Sequence, residues 1–363
     1  MKAIILDDFG TRSGTQVLAS DVVKVLKHMG YDVDVLTGKI SRFIPEGVDK
    51  VFYMDHPKRN PSNRMNILNN VLSLKRQLRD FDFDAYDISF NNRPNIYPMR
   101  ASLNYLHGPV FFESFLGENG KIDNLILFEI IKMLRLYSIY NDARFITHGK
   151  YSARYAATGF NKLKIRFKDI IPITIPVDYP WLEEIPEKED YMLTFGRIIP
   201  DKMIDRGVKI AELSKIPFKV AGFVPERWRS YFKELKSRAP DNVEFIESPS
   251  ENEKIDLFRR AKIYLHTKDN EHYGVTTAEA IWFGCIPITP RNGGSWEDIL
   301  DFGKYGLGYK DLDEAVKMVD IARHMDESKR VEIFESRKRF KFEIFEEKFK
   351  EIINEISKDA LEL

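Results

Sequence analysis

Two glutamates, Glu271 and Glu279, carry the strongest chemical signal in this chain. They lie in the window Asn270-Glu271-His272-Tyr273-Gly274-Val275-Thr276-Thr277-Ala278-Glu279-Ala280, the first in a loop and the second inside the first turn of a predicted helix. Gly274 stands at that helix's entrance, where free backbone N–H groups and the helix dipole favour a phosphate. The window therefore offers an anion site flanked by two carboxylates able to accept hydrogen bonds from sugar hydroxyls. A plainer reading is equally open: Thr276-x-x-Glu279 also fits a capping box.

Cations supply a second cue. In Phe195-Gly196-Arg197-Ile198-Ile199-Pro200-Asp201-Lys202 a strand ends, a glycine turns, and Arg197 and Lys202 fall on the loop entering the next helix. Two cations at a strand's carboxyl end suit a diphosphate. The alternative is a surface salt bridge of either cation with Asp201 or Asp205.

These residues need a scaffold, and the apolar pattern predicts one. Residues 2–6 form a continuous apolar run of the kind buried on both faces of a parallel sheet. A loop over 9–14, a helix over 15–29 stopped by Gly30, and a strand over 33–36 follow. Short apolar runs recur at 51–54, 88–90, 103–106 and 145–147. Around 170–189 the texture changes: Pro172, Pro176, Pro180 and Pro186 cluster with Glu183, Glu184, Glu187 and Glu189, which reads as a linker. Alternation restarts with strands at 191–195, 218–221, 243–246, 262–266 and 286–289, and helices at 203–213, 226–237, 251–260 and 278–283. Residues 320–363 read as helical, with Phe334, Phe340, Phe342, Phe345, Phe349 and Ile352 as an apolar stripe. The fold class is α/β, with two doubly wound halves whose ligand cleft would lie at the carboxyl ends of the strands.

Composition narrows the function. A chain of 363 residues suggests two domains. With 56 Lys+Arg against 56 Asp+Glu, no net field draws it to nucleic acid. One cysteine, Cys285, excludes an internal disulfide and a Cys-based zinc site, and reads as a small core residue. The start turns acidic too soon for a signal peptide, and the apolar region 122–140 carries Asp123, Glu129, Lys132 and Arg135, as an amphipathic helix does. A cytoplasmic protein is expected. The stretch 64–79, with Lys75, Arg76 and Arg79 beside apolar residues, suits either an anionic membrane surface or an ordinary helix packing inward. Asp82-x-Asp84-x-x-Asp87 reads as a polar connection and not a metal site, so no metal is expected. Gly10-x3-Gly14 lacks the spacing of a dinucleotide-binding turn, although Asp34 lies where a ribose-binding acid could fall. His28, His56 and His324 show no ligand spacing.

Taken in order, Tyr105-Leu106-His107-Gly108-Pro109, Ile175-Pro176-Val177-Asp178, Gly196-Arg197-x4-Lys202, Glu271-x7-Glu279 and Asn292-Gly293-Gly294-x-x-Glu297 resemble the family 4 retaining glycosyltransferases of the GT-B fold. The resemblance covers most of the chain and is strongest from 191 to 300. It implies an amino-terminal Rossmann-like, acceptor-side domain (1–177), a nucleotide-sugar-binding domain (178–335) and a closing helix (336–363) that packs back on the first domain. It implies a metal-independent transfer of sugar from a nucleoside diphosphate sugar, UDP- or GDP-linked, to a hydroxyl of a glycan, glycolipid or small molecule, with retention. No cofactor is implied. Glu279 would hold the ribose hydroxyls and Glu271 would face the sugar near the reacting carbon. Arg197 and Lys202 would grip the diphosphate, helped by the backbone at Gly274 and Val275. Gly14 would approach the diphosphate or the acceptor, and His107 the donor sugar. The departing phosphate itself would take the acceptor's proton.

Three positions depart from the family pattern: Met203 where glycine is usual, Ser295 in place of proline after Gly293-Gly294, and His148 where an Asn-Ser pair is common. Glu271-His272-Tyr273-Gly274 with Tyr105-Leu106-His107 is similar to members that extend lipid-linked oligosaccharides. An epimerase or trehalose-type synthase on the same fold, and a nucleotide-sugar-binding protein without transfer, stay open as alternatives.

Overall fold

The computed structural model describes residues 1–7, 14–38, 43–55, 73–74, 76–94, 99, 101–107 and 140–361. The predicted loop 9–14 up to its last residue, the amphipathic region 122–140 except Tyr140, His56, and most of the basic stretch 64–79 lie outside the described residues. The chain divides into two compact units: residues 1–175 with Phe342–Leu363, and Pro176–Lys341.

In the first unit, seven parallel strands form one sheet: β1 (Lys2–Leu6), β2 (Asp32–Gly38), β3 (Lys50–Met54), β4 (Ile88–Asn91), β5 (Leu103–Leu106), β6 (Ala143–His148) and β7 (Phe167–Ile173), in the order β3-β2-β1-β4-β5-β6-β7. Ala3 to Leu6 are completely buried, as an apolar run in a central parallel strand must be. Helix α1 (Gly14–His28) buries Leu18, Val22, Val25 and Leu26 and ends before Gly30, whose positive φ suits a residue without a side chain. Helix α2 (Gly149–Leu163) contributes Ala156 and Phe160 to a core with Tyr140, Phe145 and Ile165.

One expectation is corrected here. Residues 170–173 are not linker but the end of β7, which pairs with β6 through Ile173 opposite His148. Pro172 is compatible because β7 is an edge strand, where a missing N–H breaks no ladder on the outer side.

The second unit holds six parallel strands: β8 (Glu189–Phe195), β9 (Phe218–Gly222), β10 (Val243–Glu247), β11 (Ala261–Leu265), β12 (Ile286–Pro290) and β13 (Leu307–Tyr309), ordered β10-β9-β8-β11-β12-β13. Helices α3 (Ile204–Ser214), α4 (Arg229–Arg238), α5 (Glu251–Arg260), α6 (Val275–Trp282) and α7 (Leu312–Arg323) follow successive strands, and α8 (Glu327–Glu335) comes after them. Both sheets reverse their strand order once, between β1 and β4 and between β8 and β11. Such a switch point is where an open α/β sheet leaves a crevice at its carboxyl edge.

The last helix, α9 (Phe342–Leu361), belongs to the first unit. Phe345, Phe349, Ile352 and Ile353 are buried, with the Phe349 ring 5.9 Å from Phe90 of β4. Glu346 meets His28 of α1 at 2.7 Å, and Asp359 meets Arg144 of β6 at 2.9 Å. Phe345, Phe349 and Ile352 of the expected stripe thus cover a sheet distant along the chain, whereas Phe334 and Phe340 belong to the second unit.

Candidate functional site

The second unit's switch point brings together the exits of β8 and β11. After β8, Gly196 turns, and the loop is held to the exit of β9 by Gly196 N–H to Ala221 O (3.0 Å) and Ile198 N–H to Phe223 O (2.9 Å). The approach is so close that a Cβ on Gly222 would sit 1.7 Å from the Gly196 carbonyl oxygen. Arg197 is exposed and, among the described residues, makes no ion pair. Residues Pro200–Lys202 form one 3₁₀ turn, and Met203 follows in the left-handed region (φ 51°, ψ 41°). Met203 thus adopts the conformation a glycine would take with less strain, so the loop keeps its turn at a cost of about 1–2 kcal/mol.

The surface salt bridge considered for Lys202 does not form. Its ammonium pairs with Glu271 Oε2, while Asp201 is taken by Lys268 at 2.8 Å. The β11 exit that carries Glu271 is braced from several sides. Arg206 of α3 grips Asp269 with two hydrogen bonds (2.8 and 2.7 Å) and also donates to the Thr267 carbonyl. Thr267 Oγ1 donates to Lys202 O at 2.7 Å, and Asn292 bridges Asp269 and the Asn270 N–H. Gly294 N–H donates to Glu271 O at 2.6 Å. Ser295, the residue in place of proline, donates its hydroxyl to Tyr273 O at 3.1 Å.

Burial alone would raise the Glu271 pKa. The charges of Lys202, His266 (when protonated) and Lys268, with the Lys202 hydrogen bond, outweigh it and bring the carboxyl down to about 2. Glu271 is therefore ionised throughout the physiological range. His266, immediately after β11, is buried with Nε2 4.0 Å from Glu271 Oε2, and desolvation lowers its pKa to about 4. It is neutral at pH 7.

Helix α6 starts at Gly274, whose φ of 91° and lack of a side-chain cap leave the first N–H groups available. A Cβ there would lie 2.1 Å from Ser295 Oγ. The capping-box reading fails: the N-cap is Gly274, and Thr276 Oγ1 accepts instead from Tyr264 OH at 2.6 Å. Glu279 consequently stands in the second turn and not the first. Val275 is exposed at the entrance. Glu279 is buried; its Oε1 receives Lys254 Nζ (2.9 Å) and Tyr179 OH (3.3 Å), and its buried Oε2 has no partner among the described residues. Desolvation raises its pKa, with Lys254 opposing.

In the first unit, Gly14 opens α1. His107 follows β5, and its partners at the exits of β1 and β4 determine its proton. Asn92 Nδ2 donates to Asp7 Oδ2 (2.5 Å), so Asn92 Oδ1 must accept from His107 Nε2–H (2.8 Å). Burial, then the charges of His148 (when protonated) and Arg93, press the His107 pKa well below its ordinary value. A neutral ring with Nδ1 as acceptor results. His148, another departure from the pattern, donates Nε2–H to His107 O (2.9 Å) and accepts from Tyr105 OH (2.5 Å). Asp7, Asn92, His148, Arg206, Asp269, Lys254 and Tyr179 were not among the sequence candidates. Their partners lie tens of residues away, and no short spacing links them.

Residues 179–339 match the sequence model of the glycosyl transferases group 1 family. Mouse alpha-1,3/1,6-mannosyltransferase ALG2 is 27% identical over 43% of this chain and 44% of its own length. A Dictyostelium discoideum GDP-Man:Man(3)GlcNAc(2)-PP-Dol alpha-1,2-mannosyltransferase is 35% identical over 21% of this chain and 14% of its own. The chain thus spans less than half the length of the curated relatives it matches. Among solved structures, Anabaena Alr3699/HepE in complex with UDP and glucose is similar at a TM-score of 0.68 and 15% identity, covering 98% of this chain and 100% of that one. WaaG, a glycosyltransferase involved in lipopolysaccharide biosynthesis, has a TM-score of 0.68 at 15% identity, covering 97% and 99%. At these identities the likeness establishes the GT-B fold class.

Proposed function

We propose, from the match of residues 179–339 to the glycosyl transferases group 1 model, that this chain transfers a sugar from a nucleoside diphosphate sugar to an acceptor hydroxyl with retention. One observation carries the reading: the buried Oε2 of Glu279, without a partner among the described residues, lies on the helix whose open amino terminus follows the Lys202–Glu271 pair. A ribose diol, a diphosphate and a sugar are, beside the base, the parts of one donor, and these groups match them in that order. Glu279 Oε2 accepts from the ribose. Lys202, Arg197 and the N–H groups at Gly274 and Val275 hold the diphosphate, in the place a divalent cation would otherwise take. Glu271, held ionised, faces the sugar and steadies charge developing at the reacting carbon. In the first unit, taken by itself, His107 Nδ1 is an acceptor suited to a hydroxyl, and Gly14 opens α1. The names of the mannosyltransferase relatives favour a mannosyl donor and a lipid-linked glycan acceptor, which would bring the protein to a membrane surface. Among the described residues no helix is long and apolar enough to cross one.

A thermal-shift panel of UDP, GDP, ADP and their sugars tests the donor site. Ligand at about 100 times its Kd adds about 2.7 kcal/mol of stability, so at least one nucleotide should raise Tm by several degrees. A panel without any shift removes the donor site; binding without transfer or hydrolysis favours a binding protein.

The two glutamates should separate kinetically. Glu279→Ala removes a ribose contact made equally in ground and transition states, so donor KM rises while kcat holds. Glu271→Ala acts at the reacting sugar, so kcat falls. The same KM-to-kcat split for both variants would contradict this division of roles.

A further inference from the structure

Glu279 does not meet its ligand as a bare carboxylate. Lys254, on the second turn of α5, places its ammonium 2.9 Å from Oε1, with side chains only 15% and 11% exposed for the two residues. The capping box of Ser250 and Glu253 fixes the first turn of α5 and hence the direction of Lys254. The ammonium also lies over the rings of Tyr179 and Phe195, 5.3 Å from each centroid, which confines it further. Tyr179 OH, hydrogen-bonded to Glu251 at 2.8 Å, covers the same Oε1 at 3.3 Å. Among the described residues, Oε1 is thus held by Lys254 and approached by the Tyr179 hydroxyl, while the buried Oε2 has no partner.

We propose that Lys254 is a positioning residue for donor recognition: by occupying Glu279 Oε1 together with Tyr179, it directs Oε2 to the ribose hydroxyls and tunes the site to a neutral diol. The inference rests on the nucleotide-sugar reading above and adds a residue to it. A buried, unpaired carboxylate would take up a proton or a cation in preference to a hydroxyl. Paired with one ammonium, whose charge opposes the upward pull of burial on its pKa, it needs no second cation and retains one oxygen with free lone pairs. The charged and titratable groups facing Glu279 are Lys254 and Glu251 from α5, Tyr179 from the segment before β8, and Tyr264 from β11. Lys254 alone among them is a cation, so its loss cannot be made good locally.

Calorimetry provides the test, using whichever of UDP, GDP and ADP the wild type binds most tightly and its 2′,3′-dideoxy counterpart. The wild type should prefer the ribose form by about tenfold or more, as expected for hydrogen bonds to a charged group. Lys254→Met should shrink that preference to within about threefold at pH 7 while leaving dideoxynucleotide affinity unchanged. Part of the preference should return as pH rises and Glu279 ionises. Lys254→Arg, which restores a cation, should keep the wild-type preference; Lys254→Gln provides a second neutral variant if methionine impairs folding. A merely structural lysine would weaken both ligands equally. A ribose preference undiminished in Lys254→Met and Lys254→Gln overturns the role of Lys254 and leaves the donor site standing. No binding of any nucleoside diphosphate by the wild type overturns the donor reading itself, and the inference with it.

Discussion

Replacing Lys202 by alanine is expected to cut kcat at saturating donor by about ten- to 150-fold. Negative charge accumulates on the diphosphate as its bond to the sugar breaks, so a cation there binds the transition state more tightly than the donor. One charge-assisted hydrogen bond contributes about 1.5–3 kcal/mol, which converts to that range of rates. A second effect points the same way. Lys202 is the cation that does most to hold Glu271 at a pKa of about 2, so its removal leaves a buried carboxylate less compensated and its pKa climbs. Arg197→Ala should also lower kcat, but through the leaving group alone, because Arg197 is exposed and pairs with none of the described residues. Thermal unfolding separates the two. Arg197→Ala should leave stability within about 0.5 kcal/mol of wild type, whereas Lys202→Ala should lower it by about 1–3 kcal/mol, the cost of stranding a buried partner. Lys202→Arg should rescue only in part, since a planar fork replaces a compact ammonium. Turnover within twofold of wild type in both alanine variants would return these residues to the surface and remove the diphosphate from the proposal.

Gly294→Ala should damage the site severely for so small a substitution, lowering stability by about 3 kcal/mol. Its φ is unstrained, so the effect is purely steric: the new Cβ would fall 2.1 Å from His272 O, 2.7 Å from His272 C and 2.9 Å from Tyr273 Cα. All three are backbone atoms, and no side chain can rotate away. Either the Gly293-Gly294 turn or the Glu271 loop must move, and the Gly294 N–H bond to Glu271 O breaks with it. Both KM and kcat should suffer, because Glu271 and the entrance of α6 shift together. Ser295→Ala is the control. It removes one hydroxyl hydrogen bond to Tyr273 O, worth about 1 kcal/mol, and leaves the backbone in place. Chemical unfolding that finds Gly294→Ala within about 0.5 kcal/mol of wild type would mean the apposition of the two loops is not as close as described.

The sequence by itself determined the period of the chain and the chemistry of its strand ends. Apolar runs such as 2–6 and 262–266, alternating with amphipathic helices, admit little except doubly wound parallel sheets, because hydrophobic periodicity is local and each run states its own burial. Glu271, Glu279, Arg197, Lys202 and Gly274 were legible for the same reason: each falls within a few residues of a strand's end or a helix's start. Local pattern was also where the reading erred. Four prolines made 170–189 look like linker, although an edge strand tolerates Pro172, and only pairing with β6 reveals which strand is an edge. Thr276-x-x-Glu279 had the spacing of a capping box, and the left-handed turn at Gly274 moved the cap two residues earlier. Tertiary structure alone decided what each charged group faces. Lys202 and Glu271 are 69 residues apart in sequence, Lys254 and Glu279 are 25, and Asp7 and Asn92 are 85. Pairings at such separations follow from strand order, since β8 lies beside β11 and β1 beside β4. Ionisation followed from them in turn: an ionised Glu271, a neutral His107 and a half-occupied Glu279 are products of burial and neighbours, which no residue carries in its own type.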